Sequence, residues 1–147
     1  MTDFHVKDLY ANASRTKLIS STGTAILNDP RFFYKDQALL RFTITDSNGD
    51  PVVLTGGSFQ FRIISSYSTQ NLLTNSDDSQ FISGDWVDYS EAGGMICCRV
   101  DFNKAAILTY LAATRSKKAY CGLWATLGGV KYLLAQFNCD LYNSISL

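Results

Sequence analysis

The stretch that decides the fold is Ala119-Tyr120-Cys121-Gly122-Leu123-Trp124-Ala125-Thr126-Leu127, the pair Gly128-Gly129, then Val130-Lys131-Tyr132-Leu133-Leu134-Ala135-Gln136-Phe137 and on to about Tyr142. Two glycines between β-prone runs form a two-residue hairpin turn, since each accepts the positive φ that such turns require. The turn fixes the register, setting Leu127 opposite Val130 and Trp124 opposite Leu133. On that register one face carries Tyr120, Trp124, Leu133 and Phe137, and the other carries Cys121, Leu123, Tyr132 and Leu134. Both faces are apolar. A sandwich hides only one face of each sheet in its core, so the second needs another cover: the chain's own helix, its N-terminal segment, or another subunit.

Upstream the same period of two recurs. In Gln37 to Asp46, Leu40, Phe42 and Ile44 alternate with Arg41, Thr43 and Thr45. The run Asp46-Ser47-Asn48-Gly49-Asp50-Pro51 then predicts a tight reversal into Val52-Val53-Leu54. Ser58 to Ser65 alternates Phe59, Phe61 and Ile63 with Gln60 and Arg62, while the polar run Ser65 to Ser79 reads as surface chain. Phe81, Ile82, Trp86 and Val87 suggest a short, interrupted strand, Glu91-Ala92-Gly93-Gly94 a turn, and Met95 to Phe102 a further strand. Asn103 is placed to cap the one helix, Lys104 to about Thr114, with Ala105, Ile107, Leu108 and Leu111 as its apolar stripe. Residues 1–35 lack sustained periodicity and read as an N-terminal arm that pairs with its own sheet or lies against neighbouring molecules, followed by a β domain over 36–147.

Composition bounds the function. The 147 residues are 46% apolar and 18% charged, with 13 basic and 13 acidic side chains, so one domain with a self-sufficient core is expected. Zero net charge without a basic run argues against nucleic acid or an anionic membrane as partner. No run approaches the ~20 apolar residues of a membrane span, and the first residues lack a secretory layout, so a soluble protein made in the cytoplasm is expected.

Catalysis and metal binding find little support. There is one histidine, His5, and one glutamate, Glu91. No nucleophile elbow or phosphate loop is present, and no enzymatic role or cofactor is expected. Cys97, Cys98, Cys121 and Cys139 contain no C-x-x-C pair and lie far from His5, which favours reduced, buried packing residues over metal ligands. Cys121 and Cys139 fall on different faces unless a bulge intervenes. Asp46, Asn48 and Asp50 alternate like calcium ligands, but the glycine is fourth and Gly57 stands where a closing glutamate belongs, so a turn is preferred. Arg115, Lys117 and Lys118 read as a solvated cluster at the helix C-terminus.

The runs Asp36 to Asp46, Asn48 to Gly56 and Phe59 to Ile63, with the later course Gly94 to Phe102, a short helix, Tyr120 to Ala125 and the returning strand through Phe137, resemble the immunoglobulin-like domain at the N-terminus of phage baseplate upper proteins and related tail-fibre adaptors. The resemblance covers about residues 36–142 and rests on strand patterns. It implies an all-β, immunoglobulin-like antiparallel sandwich of seven or eight strands with one short helix. It also implies a non-catalytic docking or assembly module of a phage tail or baseplate, located in the virion, contacting other virion proteins or its own copies. Such adaptors continue into a helical or fibrous part, so a chain ending here fits a stand-alone virion module, with head decoration as one alternative. Eight tyrosines and two tryptophans keep glycan recognition open as a second. The interface residues expected on this reading are Phe32, Phe33, Tyr34, Leu123, Tyr132 and Leu134.

Overall fold

The computed structural model describes residues 5–24, 26 and 28–143. Nine strands and one helix appear in the order β1 (His5–Asn12), β2 (Lys17–Ile19), β3 (Arg31–Phe33), β4 (Gln37–Thr45), β5 (Ser58–Ile64), β6 (Leu72–Ser76), β7 (Met95–Asp101), α1 (Ala105–Leu111), β8 (Ser116–Leu127) and β9 (Val130–Tyr142). They form a two-sheet sandwich, a four-stranded sheet β2-β1-β4-β7 facing a five-stranded sheet β3-β9-β8-β5-β6.

Period-two alternation makes the core. Strand β4 buries Ala38, Leu40, Phe42 and Ile44; β5 buries Phe59, Phe61 and Ile63; β7 adds Ile96, Cys98 and Val100; β8 adds Ala119, Cys121, Leu123 and Ala125. Across the layers the rings of Phe42 and Phe61 lie 5.8 Å apart, and Phe61 continues to Phe137 at 6.2 Å. Helix α1 drives Ile107 and Leu111 into this core. Its first turn lacks the expected cap: Lys104 holds that position without a side-chain bond, while the Asn103 N–H donates to Asp101 Oδ1. The helix stops at Ala112, whose left-handed backbone (φ 48°) closes it onto the Leu108 carbonyl. Arg115, Lys117 and Lys118 therefore lie beyond the helix, the last two on β8.

The leading residues, expected as an arm, are woven into both sheets. Strand β1 lies parallel beside β4, from His5↔Ala38 to Asn12↔Thr45, and β3 lies parallel beside β9. Leu9, Ala11, Leu18 and Phe32 enter the common core. Only the first four residues of that segment, with 25 and 27, fall outside the described residues.

Strand β6 lies within the run expected to be featureless surface chain. Its inward positions include Thr74 and Ser76, both buried, whose hydroxyls donate to the carbonyls of Asp101 (2.7 Å) and Arg99 (2.6 Å) on β7. The two sheets are thus stitched at one edge by side-chain hydroxyls rather than by a backbone ladder. Beyond it, 3-10 turns at Asp78–Gln80 and Ser83–Asp85 replace the expected interrupted strand, leaving Phe81 as a single bridge to Cys98. Trp86 from this segment lies over Arg41 at 5.2 Å, and Arg41 grips Asp8 through Nε (2.6 Å) and Nη2 (2.9 Å).

The closing hairpin departs from its expected register at one point. Trp124 opposes Leu133, but Leu123 opposes Ala135, so Leu134 is an extra residue on β9. This bulge turns Phe137 and Cys139 inward. Phe137 therefore leaves the face of Tyr120 and Trp124, and Cys121 and Cys139 come to share the inner face. All four cysteines are buried and unpaired. Burial drives the thiols of Cys98 and Cys121 well above the usual range, and that of Cys97 to about 11.

Candidate functional site

The inner and outer faces of the hairpin sort the expected interface residues. Leu123 (0% exposed), Leu134 (3%) and Phe32 (2%) belong to the protein's own core and are not available as contact anchors. Phe32 stacks on Phe102 at 4.8 Å. Phe33 packs against Tyr142 at 5.4 Å, and Tyr34 leans on the core. Only Tyr132 stands out, 48% exposed, beside Val130 at 52% on the hairpin tip. The period-two pattern rightly grouped Tyr120, Trp124 and Leu133, but it put Phe137 with them, and attaching the interface to Leu123 and Leu134 chose the inner face.

The outer face has a shaped centre. Gly122 sits mid-strand in β8, between Arg62 of β5 and Gln136 of β9. Having no side chain, it leaves a hole, and the Trp124 ring reclines over it: a Cβ added at Gly122 would lie 2.3 Å from Trp124 Cη2. Lys131 Nζ approaches the Trp124 ring at 5.3 Å and donates to Gln60 Oε1 at 3.4 Å. At the other end Tyr67 comes down from the loop after β5 and meets Tyr120, their centroids 4.5 Å apart. Hydroxyls hold that loop in shape: Ser66 Oγ accepts from the Thr69 N–H at 3.1 Å and meets Thr69 Oγ1 at 2.7 Å. Tyr110 of α1 braces its root, with its hydroxyl 3.1 Å from the Ser65 carbonyl and 2.6 Å from that of Lys118.

The result is a hollow of about 170 Å³ whose walls are the rings of Tyr67, Tyr120 and Trp124 with Ile64 and Leu133, and whose polar groups are Arg62, Gln70 and Gln136. Among the described residues, neither α1 nor the leading segment contributes to its lining, and part of the cover is supplied by Tyr67. Sequence periodicity placed Tyr120, Trp124 and Leu133 together. Tyr67 carried no such signal, because the loop's return onto the sheet is a tertiary contact.

Other candidates take structural roles. Asp46 Oδ1 accepts from the N–H groups of Asn48 (2.8 Å) and Asp50 (3.0 Å), which spends the supposed calcium ligand on closing its own turn. Lys118 bridges Asp140 (2.9 Å) and Asp29 (3.0 Å), and these hydrogen bonds raise its pKa. Among the described residues no three His, Cys, Asp or Glu side chains converge as a metal site, and no helix is long and apolar enough to cross a membrane.

No protein-family model matches this chain, and no curated protein matches it in sequence. Its fold is nevertheless shared. The chain is similar to the solved N-terminal domain of phage TP901-1 ORF48, with a TM-score of 0.53 over 95% of this chain and 99% of that one, at 12% sequence identity. The class defined is an all-β, two-sheet sandwich with one short helix, a fold also found in a domain of a phage protein.

Proposed function

We propose that the chain is a structural module of a phage particle, a non-catalytic unit that docks onto other virion proteins of the tail or baseplate or onto its own copies. The observation that carries this reading is the reach of the fold likeness: it takes in 95% of this chain and 99% of the ORF48 N-terminal domain, and so extends into the first 35 residues that the sequence resemblance left out. Equivalence over a whole domain points to a shared building block more strongly than a shared hairpin would.

The contact surface on this reading is the hairpin tip, with Val130 and Tyr132, because a few aromatic anchors dominate the energy of most protein interfaces. Fully exposed Val87 is a further apolar contact point. Leu123 and Leu134, on the same hairpin, are buried in the core instead. The test is mass spectrometry of gradient-purified particles from the source encoding the chain, followed by cross-linking. The expected result is a fixed copy number per particle, with cross-links from Lys131 at the tip to another virion protein. Absence from the particles overturns the reading, and cross-links to the major head protein replace tail docking with head decoration.

A further inference from the structure

We propose that the hollow over Gly122 is a saccharide site, sized for one ring of a glycan that carries a carboxylate or phosphate. This goes beyond the virion reading and does not depend on it.

Shape comes first. A glycine inside a strand weakens pairing and commonly marks a place where something approaches the backbone closely. Here the Trp124 ring lies down into the space of the missing side chain, and beside it the sheet face holds a concavity of about 170 Å³. Its walls are three aromatic rings, Tyr67, Tyr120 and Trp124. Flat apolar walls suit the C–H face of a pyranose, and the volume fits one ring rather than the larger ligands of ordinary pockets, which fill about 300–1,000 Å³.

Polar groups then distinguish a sugar from a neighbour's apolar side chain. Arg62 makes no side-chain hydrogen bond or ion pair among the described residues, and neither do the hydroxyls of Tyr67 and Tyr120. Gln70 uses Nε2 on the Tyr67 carbonyl and keeps its amide oxygen uncommitted. An apolar side chain pressed into this hollow would strip water from those groups and return no hydrogen bond, which is costly. A polyhydroxylated ring satisfies them.

Charge selects among sugars. Arg62 is the one charged residue in the lining, no carboxylate accompanies it, and Lys131 approaches Trp124 from beside it. An anionic substituent is therefore favoured, and Arg62 is built to hold a carboxylate or phosphate in two-pronged fashion. A nucleobase would also stack here. However, single-strand binders follow the backbone with a basic groove, which a chain with 13 basic and 13 acidic residues does not provide around one arginine.

The test uses the full chain on an array of neutral, uronate-bearing and phosphate-bearing glycans, with a dT oligonucleotide as a further probe, followed by titration of the best-bound glycan. Saturable binding to an acidic glycan is expected, with its neutral parent at least tenfold weaker. Arg62→Gln should remove most of that tenfold preference, and Tyr67→Ala should weaken both glycans several-fold. Gly122→Val should abolish binding by pushing the Trp124 ring off the strand and out of the wall of the hollow. Since Gly122→Val can also disturb folding, the two surface substitutions carry the decision, each with an unchanged circular dichroism spectrum. Binding to no glycan overturns the proposal, as does glycan binding indifferent to Arg62→Gln and Tyr67→Ala, or tighter binding of the oligonucleotide.

Discussion

Gly94→Ala should be among the most damaging single-atom-group additions to this protein, and the structure says why. Gly94 has φ +74°, and a Cβ built there would lie 2.3 Å from the Ile44 carbonyl oxygen, with the Val52 oxygen at 3.1 Å and the Val52 nitrogen at 3.3 Å. All three are backbone atoms, so no rotamer change relieves the contact. Relief requires parting the end of β4 from the chain around it, which strains Ile44 N–H to Gly94 O (2.8 Å) and Val52 N–H to Ile44 O (3.0 Å). The left-handed backbone costs an alanine about 1 kcal/mol. Two weakened hydrogen bonds at about 1 kcal/mol each bring the total to about 3 kcal/mol. Gly49→Ala is the control: φ is +82°, but nothing lies within 4 Å of the added Cβ, so only the backbone term of about 1 kcal/mol applies. At about 2.1 cal/mol/K per residue, a chain of 147 residues loses about 3 °C of Tm per kcal/mol. Thermal melts followed by circular dichroism should show a drop of about 10 °C for Gly94→Ala and about 3 °C for Gly49→Ala. Equal drops would refute the claim that Gly94 is required by close backbone approach.

Two further perturbations test the interior. Thr74→Val and Ser76→Ala each remove the hydroxyl that satisfies a β7 carbonyl at the sheet edge, and each should cost about 1–2 kcal/mol in urea unfolding; neutral variants would mean that the edge is not held by these bonds. Alkaline pH should destabilise the fold through its buried thiols. Cys98 and Cys121 have pKa values raised by burial from an ordinary 9.0; above pH 9 the unfolded chain sheds protons that the folded chain keeps. Stability therefore falls as pH rises, with a slope approaching about 1.4 kcal/mol per pH unit for each thiol. Urea midpoints measured with reductant between pH 8 and 10.5 should fall steadily above pH 9, whereas a flat profile would show that these thiols ionise as freely in the folded state as in the unfolded chain.

The elements legible in the sequence were those with one buried face and a local turn. Strand β4, with Leu40, Phe42 and Ile44, and the Gly128-Gly129 hairpin both meet that condition. Strand β1 was illegible because its long pairing, with β4, is parallel and no turn residue announces it, while its local antiparallel partner β2 is only three residues long. Strand β6 escaped notice because Thr74 and Ser76 occupy inward positions, where hydroxyls rather than apolar groups meet the neighbouring edge. The bulge at Leu134 carries no glycine or proline to mark it, yet it reversed the facing of Phe137 and Cys139. The candidate site followed the same rule. Tyr120, Trp124 and Leu133 could be read as one face, and Gly122 was visible among them. Which face met solvent, and that Tyr67 would fold over it, depended on contacts between residues far apart in the chain.

Localisation of the chain in intact particles tests the central claim most directly. Particles labelled with an antibody fragment against the hairpin tip, or resolved by electron cryomicroscopy, should show density for the nine-stranded sandwich in the tail or baseplate, in contact with a neighbouring protein. Particles complete without that density would contradict the account.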